Sequence, residues 1–339
     1  MSTRKLLGLL AIVVVGLLVW ELRWVLLVFF GAVVLAVALD VPVTVLRRLY
    51  PLHRPTAVAL VLVVILVVGY QLATLLLPEV LQQINEFTNL MPELLQRLLH
   101  LVGTTPGLKS LEGQINSQLT FDRLQPIGAQ LLGMAGGAAN STIQLVLMVL
   151  LALLLALDPR SHQRMVIAIT PSFYRSQMQS LLHDARQALG GWLAGMTISA
   201  ITVFLLTWAG LAILQVPLAL LSGLVCGLLT FVPTIGPTLA TLLPMAVALL
   251  ISPAKVAQVL VLRLLLQNGE AFLLTPILLS RTVNLLPTVA LMSQLCLGAL
   301  LGLPGVLLAL PLVVVLQVVA QQVLVEGIMD RWTGPPGEL

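Results

Sequence analysis

The sequence predicts an all-α, polytopic membrane protein of about eight transmembrane helices, some broken or re-entrant, with an extracytoplasmic amphipathic helical region. Three observations carry this. Of 339 residues, 59% are hydrophobic and only 9% charged, with a mean hydropathy of +1.08; a globular chain carries about 25% charged residues. Several apolar runs approach the ~20 residues a helix needs to cross a bilayer core. Period-2 alternation, the mark of a membrane barrel, is missing.

Residues 1–77 read as N-terminal membrane helices. Arg4 and Lys5 precede an apolar run from Leu6 to Trp20, which reads as a retained first helix of a multi-pass membrane protein with its basic end in the cytoplasm. Trp20 and Trp24 bracket a short interfacial turn, and Val25 to Leu39 returns. A loop from Asp40 to Arg54 holds Arg47, Arg48 and Arg54 against one acid, so it is expected on the cytoplasmic side, and Thr56 to Leu77 crosses outward.

Residues 78–139 change in character. Glu79, Glu86, Glu93, Glu112 and Asp122 outnumber Arg97, Lys109 and Arg123, which predicts short amphipathic helices on the outer surface, with a Glu93–Arg97 pair at i,i+4. Residues 140–157 cross again. Residues 158–190 are net positive and are expected to lie at the cytoplasmic face as an amphipathic segment. Residues 191–328 form a membrane core interrupted by prolines and glycines, and 329–339 read as a disordered tail.

Inside that core sits the polar cluster Arg263, Gln267, Asn268 and Glu270. Arg263, Gln267 and Glu270 fall at i, i+4 and i+7, on one helical stripe. An ionisable residue at membrane depth costs about 2.5–3.5 kcal/mol on insertion scales, and marks a transport path by default. Arg263 and Glu270, directly or through Gln267, are the candidate coupling site: a paired carboxylate stays ionised, and a released one can take a proton. An interhelical pair that only fixes packing is the competing role. Pro233, Thr234, Gly236 and Pro237 form one helix break, and Gly302, Pro304 and Gly305 another. Half-helix ends and exposed carbonyls at such breaks line solute paths in transporters; simple turns are the alternative. Asp158, at the end of an apolar span, is a candidate gate or a helix-end turn.

Other classes find little support. The charge of +4 lies in short loops as orientation signals do, so no nucleic-acid partner is expected. Cys226 and Cys296 lack metal-ligand spacing, and no metal or cofactor is expected. Phosphate-loop, zinc-protease and nucleophile-elbow motifs are missing, so no enzyme is predicted.

A series of motifs runs along the second half: Leu153-Leu-Leu-Ala-Leu-Asp158, Ile169-Thr-Pro171-Ser-Phe-Tyr174, Leu189-Gly-Gly-Trp-Leu-Ala-Gly195, Val216-Pro217 to Gly223, Phe231-Val-Pro233-Thr-Ile-Gly236-Pro237, Gln267-Asn-Gly-Glu270, Thr275-Pro276, Leu286-Pro287 and Gly302-Leu-Pro-Gly305 to Pro311. In this order and spacing they resemble the autoinducer-2 exporter (AI-2E) family from about residue 140 onward. The first half fits in layout only. Thr234 stands where the family commonly has Tyr, and Ala271 where it often has Asn after the glutamate. The resemblance implies a secondary transporter of a small molecule or ion, working as a homo-oligomer, with a pentamer expected. Some members are described as sodium(lithium)/proton antiporters, which is one alternative; a non-transporting oligomeric scaffold in the lipid bilayer is another.

Overall fold

The computed structural model describes residue 14 and residues 16–104, 138–232, 235–274 and 286–329. Among them every regular element is helical. The principal helices are α1 (Arg23–Leu49), α2 (Arg54–Thr104), α3 (Ala138–Leu157), α4 (Pro159–Ile169), α5 (Arg175–Ile213), α6 (Ala219–Leu229), α7 (Ile235–Ile251), α8 (Pro253–Gly269) and α9 (Pro287–Val319). A π-helical turn, Glu270–Leu274, continues α8, and a second, Ala320–Met329, continues α9. Four helices in the described residues are long and apolar enough to cross a membrane, or five if the bent pair formed by α3 and α4 is one span. Most of the first expected span, and all of residues 105–137 and 330–339, lie outside the described residues.

Two compact units emerge. The first takes the described residues of Met1–Val61, Asn140–Leu193 and Thr282–Leu339; the second takes those of Leu62–Ala139 and Ala194–Arg281. In the first, α1 packs on α3 through Ala32, Ala36, Ala152 and Ala156. Side chains this small let helix backbones approach closely, which drives association where lipid is as apolar as the residues themselves. Gly190 of α5 meets Val37 and Val41 of α1 in the same way, at 3.5 and 3.6 Å from where a Cβ would stand.

The second unit is built on an apolar cluster including Leu211, Val216, Leu220, Leu221, Val247 and Val259. Here α6 has 11 residues and α7 has 17. At 1.5 Å per residue neither reaches across a ~30 Å core. Their polar ends therefore need partners in the protein. Gln83 of α2 accepts the amide of Leu221 at 2.9 Å, and the Lys255 ammonium donates to the carbonyl of Leu214, past the end of α5, at 2.5 Å. Arg97 donates to Leu249 O at 3.1 Å and pairs with Glu93 at 3.5 Å, the i,i+4 pair read from spacing.

Three expectations about elements differ from the structure. The Asp40–Arg54 loop is helical to Leu49, so Asp40 lies inside α1; the break is Tyr50–His53, where Tyr50 is extended (φ −131°, ψ 134°) ahead of Pro51, as a residue before proline prefers. The chain does not break at Pro78 into short helices: α2 runs on through Pro78 and Pro92. The separate helices expected on either side of residue 190 are one helix, α5, continuous through Gly190 and Gly191, with Gly190 packed closely against α1.

Candidate functional site

Arg263 lies in α8 and is only 5% exposed. Its guanidinium reaches α5 and α7. Nη1 donates to Thr207 Oγ1, Nε to Thr241 Oγ1 and Nη2 to the Pro237 carbonyl, each at 3.3 Å. Thr241 Oγ1 in turn donates to Pro237 O at 2.8 Å. The arrangement is a closed ring: one carbonyl takes two donors, and one hydroxyl both gives and accepts. Neutral oxygens thus take the place of water around a cation, as burial of a charge demands.

Glu270 opens the π-helical turn at the end of α8 and is half-buried; its Oε1 accepts from Ser199 Oγ of α5 at 2.5 Å. Ser199, Val203, Thr207 and Leu211 recur every four residues along α5, and all are buried. One face of α5 therefore presents hydroxyls to Arg263 of α8 and to Glu270 just beyond its end. A π turn widens the helix locally, and such turns recur at functional sites.

The structure gathers Arg263, Glu270 and Pro237 onto this stripe. Gln267 and Asn268 are exposed, and Asn268 Nδ2 bonds back to Leu264 O at 2.8 Å. Pro233 and Thr234 lie outside the described residues. Gly236 is buried where a Cβ would collide with Leu229 O, so the turn from α6 to α7 admits no side chain there. Gly302, Pro304 and Gly305 belong to the other unit and kink α9: Gly302 has φ 64°, ψ −150°, a region that only glycine populates. A Cβ at Gly305 would strike Leu297 O. Asp158 is the exposed N-cap of α4. Its Oδ1 accepts from Ser161 N at 3.2 Å and its Oδ2 from Ser161 Oγ at 2.6 Å. These bonds hold its carboxyl below the usual aspartate range.

Sequence reasoning missed Thr207, Thr241 and Ser199, because isolated hydroxyls in apolar helices carry no pattern of their own; the four-residue spacing of 199, 203 and 207 was the available signal. It also missed Asp40. In the first unit Asp40 accepts from Arg54 Nη2 at 2.6 Å and forms an ion pair with Arg186, while Arg54 Nε donates to Ala156 O at 2.9 Å. One buried acid thus ties α1, α2, α3 and α5 together. Among the described residues, no three His, Cys, Asp or Glu side chains cluster as metal ligands would.

Sequence comparison places this architecture. The AI-2E family transporter profile matches residues 7–324. The chain is 27% identical to the AI-2 transport protein TqsA of Escherichia coli (strain K12) over 309 residues, covering 87% of this chain and 85% of that one. It is 26% identical over 161 residues to YrrI and 23% over 193 residues to YueF, both of Bacillus subtilis (strain 168), matching 48% and 57% of this chain. These matches span about half the length of the two Bacillus relatives, 46% and 52%. With a profile match across nearly its whole length and membrane-length apolar helices, the chain belongs to the AI-2E family of membrane transporters.

Proposed function

We propose that this transporter exports a small solute, of the autoinducer-2 kind or a related metabolite, coupled to a proton or cation at Glu270 and Arg263. The observation that supports it is the hydroxyl-lined stripe of α5, which faces a buried guanidinium and a carboxylate on one helix. Ionisable groups at membrane depth persist where something polar passes. Glu270, which accepts from the Ser199 hydroxyl, is the group that exchanges a proton or cation, and Arg263 sets the local potential. The relative named an AI-2 transport protein supports the solute class. The arginines at 47, 48, 54, 160, 164, 175 and 186 support a cytoplasmic N-terminus in the inner membrane, and the family supports a homo-oligomer.

The test is flux into and out of proteoliposomes, with and without proton or sodium gradients. Wild-type protein is expected to move autoinducer-2 or a related metabolite in a gradient-dependent way, and Glu270→Gln to lower the rate at least about tenfold, ~1.4 kcal/mol of barrier. Equal flux in wild-type and Glu270→Gln protein would remove Glu270 from coupling. Flux of sodium or lithium against protons, with no organic solute moved, would make this member an antiporter.

A further inference from the structure

The first unit contains two adjoining cavities of opposite character. One, of about 290 Å³, is walled by Phe30, Val33, Val37, Leu155, Leu182 and Leu189 among others. The second, of about 380 Å³, is lined by Arg47, Arg54, Arg160 and Arg186, with Thr44 and Asp158. Arg54, Pro159 and Arg186 border both. Arg54 and Arg186 are held on Asp40, and Asp158 is turned onto Ser161. Four guanidiniums face two carboxylates, an excess of two positive charges. The basic lining continues at Arg54 and Arg186 into the mostly apolar chamber.

A free metabolite anion would leave the apolar chamber unused, and a neutral hydrocarbon would leave the arginines unused. A molecule with a phosphate at one end and an alkyl chain at the other satisfies both. Basic pockets between membrane helices recognise such headgroups, and each methylene of the acyl chain gains by burial in the apolar chamber. We propose that this double cavity binds an anionic phospholipid. Arg47 and Arg160 take the headgroup phosphate, Arg54 and Arg186 are positioned beside it by Asp40, and one acyl chain runs between α1, α3 and α5. The α4 N-terminus adds its dipole on the same side. This site shares no residue with the coupling candidates and does not depend on which solute is moved.

The experiment is native mass spectrometry of the purified full-length protein with phosphatidylglycerol or phosphatidylcholine, alongside thermal melting in each lipid. Phosphatidylglycerol is expected to be retained over phosphatidylcholine and to raise the melting temperature selectively. Each arginine near a headgroup contributes about fivefold in affinity, so Arg47→Gln with Arg160→Gln should weaken phosphatidylglycerol retention about thirtyfold. Arg47→Lys with Arg160→Lys should retain most of it. Ala185→Leu, which narrows the apolar chamber without changing charge, should lower retention too, and carries the test if the glutamine protein does not fold. Equal retention of the two lipids, or wild-type retention by the folded glutamine protein, overturns the proposal. Complete displacement by millimolar inorganic phosphate also overturns it, since the site would then take a free anion.

Discussion

Asp40 and Arg263 are both buried charges in apolar helices, yet the two units solve the problem differently. Asp40 is met by two opposite charges, Arg54 and Arg186, which fasten it to neighbouring helices. Arg263 is met by two hydroxyls and a carbonyl, all at 3.3 Å. Opposite full charges at contact distance in a medium of low dielectric make a fixed clamp. Neutral dipoles solvate a charge without cancelling it. The first arrangement neutralises its charge, and the second leaves a net positive one.

The most severe test of this contrast is Asp40→Asn. It leaves two guanidiniums facing each other without their acid. Removing one partner of a buried pair costs about 3–5 kcal/mol; with Arg186 36% exposed, about 3 kcal/mol is expected, read as a lowered melting temperature in detergent. An unchanged melting temperature would break the clamp reading. Arg263→Met should give the reverse pattern. Methionine removes the desolvation cost of a buried guanidinium and leaves Thr241 bonded to the Pro237 carbonyl, so melting should hold while flux falls at least about tenfold, ~1.4 kcal/mol. Loss of both together would make Arg263 a structural residue.

Thr207→Val sharpens the same point at smaller scale. It removes one long hydrogen bond to a charged group, worth about 1–1.5 kcal/mol, and should alter flux more than melting. Asp158→Ala is expected to have the least effect. It loosens the start of α4, read as faster amide exchange at residues 160–162, and leaves flux unchanged; altered flux would support a gate role. Because the folded carboxyl titrates below the ordinary aspartate range, this cap is intact above the unfolded value. It is lost as pH falls through the depressed one, so the protection of these amides relative to their intrinsic exchange should not change near neutral pH.

The legible part of the sequence was whatever periodicity and composition express. The all-helical membrane class, the Glu93–Arg97 pair and the kink at Gly302 all come from local pattern. The polar stripe of α8 was legible because charge is rare there. What could not be read was decided by contacts between distant segments. Asp40 looked like the first residue of a loop because three arginines follow it. It lies inside α1, where Arg54 and, 146 residues later, Arg186 neutralise it. Gly190 and Gly191 looked like a boundary until α1 supplied valines to pack against the first of them. Thr207 and Thr241 became ligands only when α5, α7 and α8 came together.

The bend in α9 rests on two glycines for unrelated reasons. At Gly302 there is open space for a methyl group, but the backbone angles are those of polyproline seen in a mirror. A D-amino acid would be at ease there, whereas an L-residue would be strained. At Gly305 the obstacle is volume, since the carbonyl of Leu297 already occupies the place of a Cβ. Chirality guards one side of the bend and bulk the other, so no single kind of substitution can straighten this helix.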